Sequence, residues 1–385
     1  MKKLYLLLVR LVDWFLRRRP THFKIAYFMS FTGNAKFIKQ LTSHFGTDAV
    51  LLVYEPAVKA EVQRLKSAGV VRHTLEFRKF QITSFVRGIR AARVALFDNY
   101  YPELSAIAKL KEQFFIQIWH ANGAIKAFGW EDPSTYHRSV ADQQRFQQVY
   151  NSFDEIVVGS AKMAEVFEQS WKVSSAKLAQ IGYPRSDQYF NEAWVQKARS
   201  KVFQDYPQFK KQRVLLYAPT YRKDVTFELP KDWSHLLVPE DAVLVVRLHP
   251  HLSELEQQLV ANSPDRVVLV DHHVTTQELL CVADTLITDY SSIAFDFSLL
   301  DNANAVIFFT YDLAQFEQTV GIQASFKQMF FDELVENVAE LNVALQSRHS
   351  SKNSLQKINQ QWNELNDGHA GTRLIQQIEG ILTNA

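Results

Sequence analysis

Short apolar runs alternate with amphipathic stretches along the whole chain, the pattern of a doubly wound α/β protein. In the first half, Lys24–Met29, Ala49–Tyr54, Val70–Leu75, Arg93–Asp98, Phe114–His120 and Glu155–Gly159 predict strands, with a short one near Leu178–Gly182. Val58–Ala68 and Tyr136–Val149 carry helical spacing between them. The second half repeats the theme at Arg213–Ala218, Ala242–His249, Arg266–Val270, Thr285–Thr288 and Ala305–Phe309. Runs this apolar suit strands buried on both faces of a parallel sheet. Gly182-Tyr183-Pro184 marks a break, and the charged stretch Phe190–Lys211 reads as the connection between two lobes. Helices are predicted near Ile358–Leu365 and Arg373–Leu382, the last crossing back onto the first lobe. The expected architecture is α/β: two Rossmann-like lobes, 21–190 and 191–365, facing a central cleft, with terminal helices at 1–20 and 366–385.

The first helix departs from this pattern. Lys2 and Lys3 precede Leu4–Val9, Arg10 and Asp13 interrupt the apolar stretch, and Arg17-Arg18-Arg19-Pro20 stops it. Thirteen helical residues reach roughly 20 Å, too short for a hydrocarbon core of about 30 Å. No small-residue cleavage site follows, which argues against a signal peptide. Leucines and Trp14-Phe15 beside clustered arginines suit an amphipathic helix lying on an anionic membrane. An ordinary first helix packed on its lobe would look similar. The expected place for the protein is therefore the cytoplasmic face of a membrane, held peripherally.

Charge adds little elsewhere. Forty-three basic residues nearly balance 41 acidic ones, so nothing global predicts a nucleic-acid partner. The single cysteine, Cys281, excludes an internal disulfide and a cysteine-based zinc site. There is no glycine-rich dinucleotide fingerprint, no P-loop and no Asp-any-Asp pair, so neither a cofactor nor a metal is expected. Asp271-His272-His273 could ligate a metal, but such a turn is as easily a set of surface polar residues.

The candidate chemistry lies where predicted strands end. His120 closes Phe114–Trp119 and precedes Ala121-Asn122-Gly123; beyond the carboxyl end of a strand, an imidazole can take a proton from a substrate hydroxyl. A core or capping histidine is the alternative. At Thr288-Asp289-Tyr290-Ser291-Ser292 a strand runs into Ile293–Leu300, which has helical spacing, so Ser291 and Ser292 fall at a helix start suited to phosphate, or to a plain N-cap. Arg247 and His249 end another strand and are expected on one side, where cations would neutralise a pyrophosphate. Arg222 after Tyr217–Tyr221, Lys126 and Arg185 add positive charge. Together these groups suggest an anionic donor substrate.

Taken in order, Trp119-His120 with Gly123 and Lys126, Gly182–Asp187, Tyr217–Arg222, Arg247–Pro250 and Thr288–Ser292 resemble the CDP-glycerol glycerophosphotransferases of wall teichoic acid synthesis. The resemblance covers roughly residues 24 to 310. It implies a two-lobed fold like the GT-B glycosyltransferases, CDP-glycerol as donor, and a lipid-linked acceptor at the membrane. By position, it implies His120 as the acceptor-activating base. His249 would be a second catalytic histidine, stabilising the pyrophosphate with Arg247, and Arg222, Asp289, Ser291 and Ser292 would bind the donor. Asp98, Asn99, Lys126 and Arg185 would contact acceptor or phosphate. The first lobe would then take the acceptor and the second the donor.

His120-Ala121-Asn122-Gly123 and Asp98-Asn99-Tyr100-Tyr101 resemble the primase branch, which adds a first glycerol phosphate to an undecaprenyl-diphosphate disaccharide. Polymerases typically carry His-Gly-Thr-Pro at the first of these. They also carry an Arg-Gly-Phe-Tyr run where this chain has Thr319-Val320-Gly321-Ile322, which puts acceptor contacts there in doubt. A poly(glycerol or ribitol phosphate) transferase, a nucleotide-sugar glycosyltransferase and a silent membrane-docked binding module are the alternatives. A homo-oligomer is neither required nor excluded.

Overall fold

The computed structural model describes residues 2–78, 81–220, 230, 232–249, 252–330, 334–346 and 352–384. The chain divides into two compact units. Unit 1 comprises residues 1–121, 135–187 and 364–385; unit 2 comprises 122–134 and 188–363.

Unit 1 holds a seven-stranded sheet made of β1 (Phe23–Met29), β2 (Val50–Tyr54), β3 (His73–Glu76), β4 (Ala92–Phe97), β5 (Phe114–Gln117), β6 (Glu155–Val158) and β7 (Leu178–Gln180). The order is β3-β2-β1-β4-β5-β6-β7, and every pairing is parallel. Such a sheet is covered on both faces, which is why Ile25 to Met29 are all fully buried without alternation.

Unit 2 repeats the plan with six strands: β8 (Arg213–Tyr217), β9 (Ala242–Val246), β10 (Val267–Leu269), β11 (Thr285–Thr288), β12 (Ala305–Phe309) and β13 (Leu334–Val335). They run in the order β10-β9-β8-β11-β12-β13, again all parallel. Every predicted strand is present, mostly a residue or two shorter, and β13 is the one the pattern did not show. Two residues with no apolar run leave no periodicity to read.

In both units strand order reverses once, between β1 and β4 and between β8 and β11. Crevices beyond the carboxyl ends at such reversals are where open α/β sheets bind ligands. Asp98 and Asn99 follow β4, and Asp289, Ser291 and Ser292 follow β11, at these two places.

The first helix, α1 (Lys2–Leu16), has two apolar sides. Val9 and Leu16 pack on Val86 and Ala106, with Tyr5, Leu6 and Val12 at the margin. Leu4, Leu7, Leu8, Leu11, Trp14 and Phe15 form a second stripe that is exposed. No helix among the described residues is long and apolar enough to cross a membrane.

Candidate active site

The reversal in unit 1 is closed by Asp98, the residue after β4. Its carboxylate accepts the backbone N–H groups of Ser30 (2.9 Å) and Phe31 (3.1 Å), which follow β1. The Ser30 and Tyr101 hydroxyls lie 2.6 Å apart behind this contact. The Asp98 side chain is fully buried and fixes the loop through these contacts. Burial pushes its pKa from 3.8 up to about 8, against the pull of the two amides. A carboxyl group raised in this way lends stability that is fully present below pH about 4 and is lost as pH rises through about 8. Thermal melts of Asp98→Asn should therefore lose less stability than wild type between pH 5 and 8. Equal slopes would show that Asp98 ionises normally.

The backbone of the same residue positions His120. The Asp98 carbonyl lies 2.9 Å from His120 Nδ1 and can only accept, so Nδ1 carries the proton and Nε2 is the basic nitrogen of the neutral ring. The imidazole also stacks on Phe31, centroids 4.0 Å apart and planes 10° from parallel. One residue thus orients His120 twice, through its carbonyl and through the loop that carries Phe31.

The approach to His120 is set by Gln117, which the sequence reading missed. Fully buried in β5, it receives the Trp119 N–H on Oε1 (3.0 Å) and donates from Nε2 to the Asn99 carbonyl (3.0 Å). Trp119 takes a left-handed backbone, φ 57°, a rare state for a bulky residue and one that needs such support. A polar residue inside an otherwise apolar strand was the available signal. Asn99 caps its own turn, Oδ1 accepting the Tyr100 N–H. Arg185 lies beside Gly33, its Nη2 3.9 Å from where a Cβ there would sit, and its charge acts on Asp98 and Glu61.

Unit 2 builds its reversal in the same manner. Asp289, the residue after β11, accepts the N–H of Thr220 (2.7 Å) from the loop after β8, and that of Tyr290 (2.6 Å). Thr288 donates to the Ala218 carbonyl (2.7 Å). Asp289 is therefore to β8 and β11 what Asp98 is to β1 and β4. Both aspartates are almost wholly buried. Ser291 and Ser292 follow, half-buried, at the start of Ile293–Phe297. That helix has five residues, not the eight expected, so its dipole is small and the serine hydroxyls matter more.

Arg247 and His249 both lie beyond the end of their strand. β9 ends at Val246, so strand alternation does not extend to them. Arg247 is buried, and burial lowers its pKa. It donates to the carbonyls of Val270 (3.0 Å) and Asp271 (3.3 Å) and to His272 Nδ1 (2.7 Å). His272 Nε2 in turn lies 3.3 Å from the buried Glu256. Arg247 holds the turn after β10, and His272, half-exposed in that turn, is part of that support. His249 is exposed. Arg222 lies outside the described residues.

The segment after His120 belongs to unit 2 from Asn122 onward. Asn122, fully buried, donates to Asp296 (2.6 Å), whose other oxygen accepts the Tyr189 hydroxyl (3.2 Å). Gly123 packs so closely on Phe295 that a Cβ would lie 2.5 Å from its ring. Exposed Lys126 bridges to Ile322, and the Ala127 N–H donates to the Gly321 carbonyl (3.0 Å). The segment just after Gly123 thus pairs with the Thr319–Ile322 stretch.

Residues 15–380 match the model of the family described as CDP-Glycerol:Poly(glycerophosphate) glycerophosphotransferase. The teichoic acid glycerol-phosphate primase of Bacillus subtilis (strain 168) is 28% identical over 395 residues, covering 98% of this chain and 97% of its own. Its counterpart from Bacillus spizizenii (strain ATCC 23059 / NRRL B-14472 / W23) is 30% identical over 362 residues, covering 92% of each. The solved structure of the wall teichoic acid polymerase TagF, H548A, is similar with a TM-score of 0.73 at 18% identity, covering 100% of this chain and 96% of that one.

Proposed function

Since the chain belongs to the CDP-glycerol glycerophosphotransferase family and is an enzyme of that kind, we propose that it is a primase, adding a single glycerol phosphate to a lipid-linked disaccharide. The observation that carries this reading is the near end-to-end match to glycerol-phosphate primases. In the reaction, the acceptor sugar oxygen attacks the glycerol-bearing phosphorus of CDP-glycerol, and the acceptor proton passes to His120 Nε2. The P–O bond to the cytidine phosphate breaks and CMP leaves. The tautomer fixed by the Asp98 carbonyl supports His120 as the base. In unit 2, Ser291, Ser292 and His249 are the accessible groups proposed to hold the donor, together with Arg222. Asp289 and Arg247 shape the loops that present them, and Arg185 and Lys126 supply charge for the phosphates. Asn99 is proposed to meet the acceptor. The acceptor is proposed to be an undecaprenyl-diphosphate ManNAc-GlcNAc disaccharide.

Purified protein mixed with CDP-glycerol and a lipid-linked disaccharide analogue tests this. CMP release with one added glycerol phosphate is expected. A ladder of products would make the enzyme a polymerase, and faster use of CDP-ribitol would change the polyol.

The same reading places the protein at the cytoplasmic face of a membrane, through the exposed stripe of α1. Residues 4, 7, 8, 11, 14 and 15 recur at helical spacing with Lys3, Arg10 and Arg17 alongside, an arrangement suited to an anionic interface. Burying a leucine is worth about 1.5–3 kcal/mol. Leu7→Ser/Leu11→Ser should therefore cut binding to phosphatidylglycerol vesicles by about 100-fold or more in a sedimentation assay. Unchanged binding would refute the membrane role.

A further inference from the structure

At the amino ends of β1, β2 and β3, the opposite end of the sheet from His120, unit 1 contains a cavity of about 420 Å³. Its floor is apolar, formed by Leu16, Phe23, Leu51 and Leu75. Its rim is basic: Arg19, Lys66 and Arg87 all face it, and no acidic residue lines it. These three side chains are exposed and make no ion pair or hydrogen bond among the described residues. The other cations at the rim are already used. Arg90 is held by Asp13, Gln113 and the Ala108 carbonyl, and Arg72 and His73 both pair with Asp48.

What sets Arg19, Lys66 and Arg87 apart is that they line one cavity with no acidic residue. They come from three separate elements: the end of α1, the helix Lys59–Ser67 and the helix Ile82–Ala91. Arg19 follows α1 directly, and Leu16 belongs to both the helix and the cavity floor. The cavity therefore adjoins the end of α1 that carries Trp14 and Phe15. An occupant must be anionic at its head and apolar just behind it.

We propose that this cavity binds the phosphate end of one anionic phospholipid, its phosphodiester meeting Arg19, Lys66 and Arg87 and the start of its acyl chains resting on the apolar floor. The proposal rests on the reading that α1 lies on a membrane. It adds a discrete site, distinct from the reaction centre, that makes docking selective for anionic lipid and fixes the orientation of unit 1 on the surface. Charge-assisted hydrogen bonds to phosphate, rather than diffuse attraction, would supply the selectivity.

The test uses the full chain and dihexanoylphosphatidylglycerol below its micelle concentration, so that no membrane is present. Calorimetric titration should give saturable one-to-one binding, weakened about tenfold or more in Lys66→Ala/Arg87→Ala. Both substitutions are at exposed positions and should leave the fold intact. The stripe variant Leu7→Ser/Leu11→Ser should bind the short-chain lipid as wild type does while losing vesicles. Failure of the stripe variant to lose vesicles refutes the membrane reading alone. Absence of saturable binding, equal binding of dihexanoylphosphatidylcholine, or no effect of the Lys66/Arg87 pair overturns the headgroup site. Competition by inorganic phosphate at equal concentration also overturns it, since the site would then hold any small anion.

Discussion

His120→Ala is expected to lower kcat by about 10²–10⁴, equivalent to roughly 3–5 kcal/mol, and to leave the affinity for CDP-glycerol close to wild type. The separation of effects follows from where the groups lie. His120 belongs to unit 1, whereas the residues proposed to hold the donor belong to unit 2. Loss of the imidazole removes the proton acceptor and nothing that grips the nucleotide. The fold should survive, because the ring is only half-buried and its partners, the Asp98 carbonyl and the Phe31 face, remain in place. Steady-state rates and equilibrium binding measured on the same preparation decide the matter. Turnover within about tenfold of wild type would remove His120 from the role of base. Weaker donor binding in parallel with rate would mean that the histidine contacts the donor.

The supports of His120 differ in how far the sequence revealed them. Strand positions were readable because parallel strands buried on both faces are continuous apolar runs. The roles of the polar residues were not. Asp98 and Asp289 stand out in the sequence as candidate site carboxylates, but their fastening of the loop after the first strand of their unit cannot be read there. Only the pairing order, which places β4 beside β1 and β11 beside β8, shows that these residues meet across the reversal point. The contacts of Arg247 are hidden for a related reason. The rule that residues two apart share a face ends with the strand, and β9 ends just before it. The bond from Gln117 to the Asn99 carbonyl and the contacts of His272 join residues distant in sequence, which periodicity cannot register. By contrast, Asn122 and Gly123 stand out in the sequence, while their close fit to Asp296 and Phe295 is visible only in the structure.

Asp13→Ala should destabilise unit 1 by about 3–5 kcal/mol, lowering its melting temperature by roughly 6–20 °C. Asp13 lies on the packed side of α1, and both it and Arg90 are almost completely buried. The Arg90 guanidinium donates to Asp13 Oδ1 (2.8 Å from Nε), to Gln113 Oε1 (2.7 Å) and to the Ala108 carbonyl (2.8 Å). Removing the carboxylate leaves a cation in the interior with neutral partners only, and that stranded charge is the source of the penalty. The double variant Asp13→Ala/Arg90→Leu should regain much of the loss, since an apolar pair has no charge to desolvate. A single variant that melts within about 1 kcal/mol of wild type would show that water reaches the pair. The outcome also decides how the membrane role of α1 can be tested. If Asp13 anchors the helix as expected, deleting the residues before Pro20 removes part of the core of unit 1 along with any membrane contact. Loss of vesicle binding in that truncation would then report unfolding as readily as detachment. Substitutions confined to the exposed stripe separate the two, because Leu7 and Leu11 lie on the side of α1 away from Asp13 and can be changed while the buried pair stays intact.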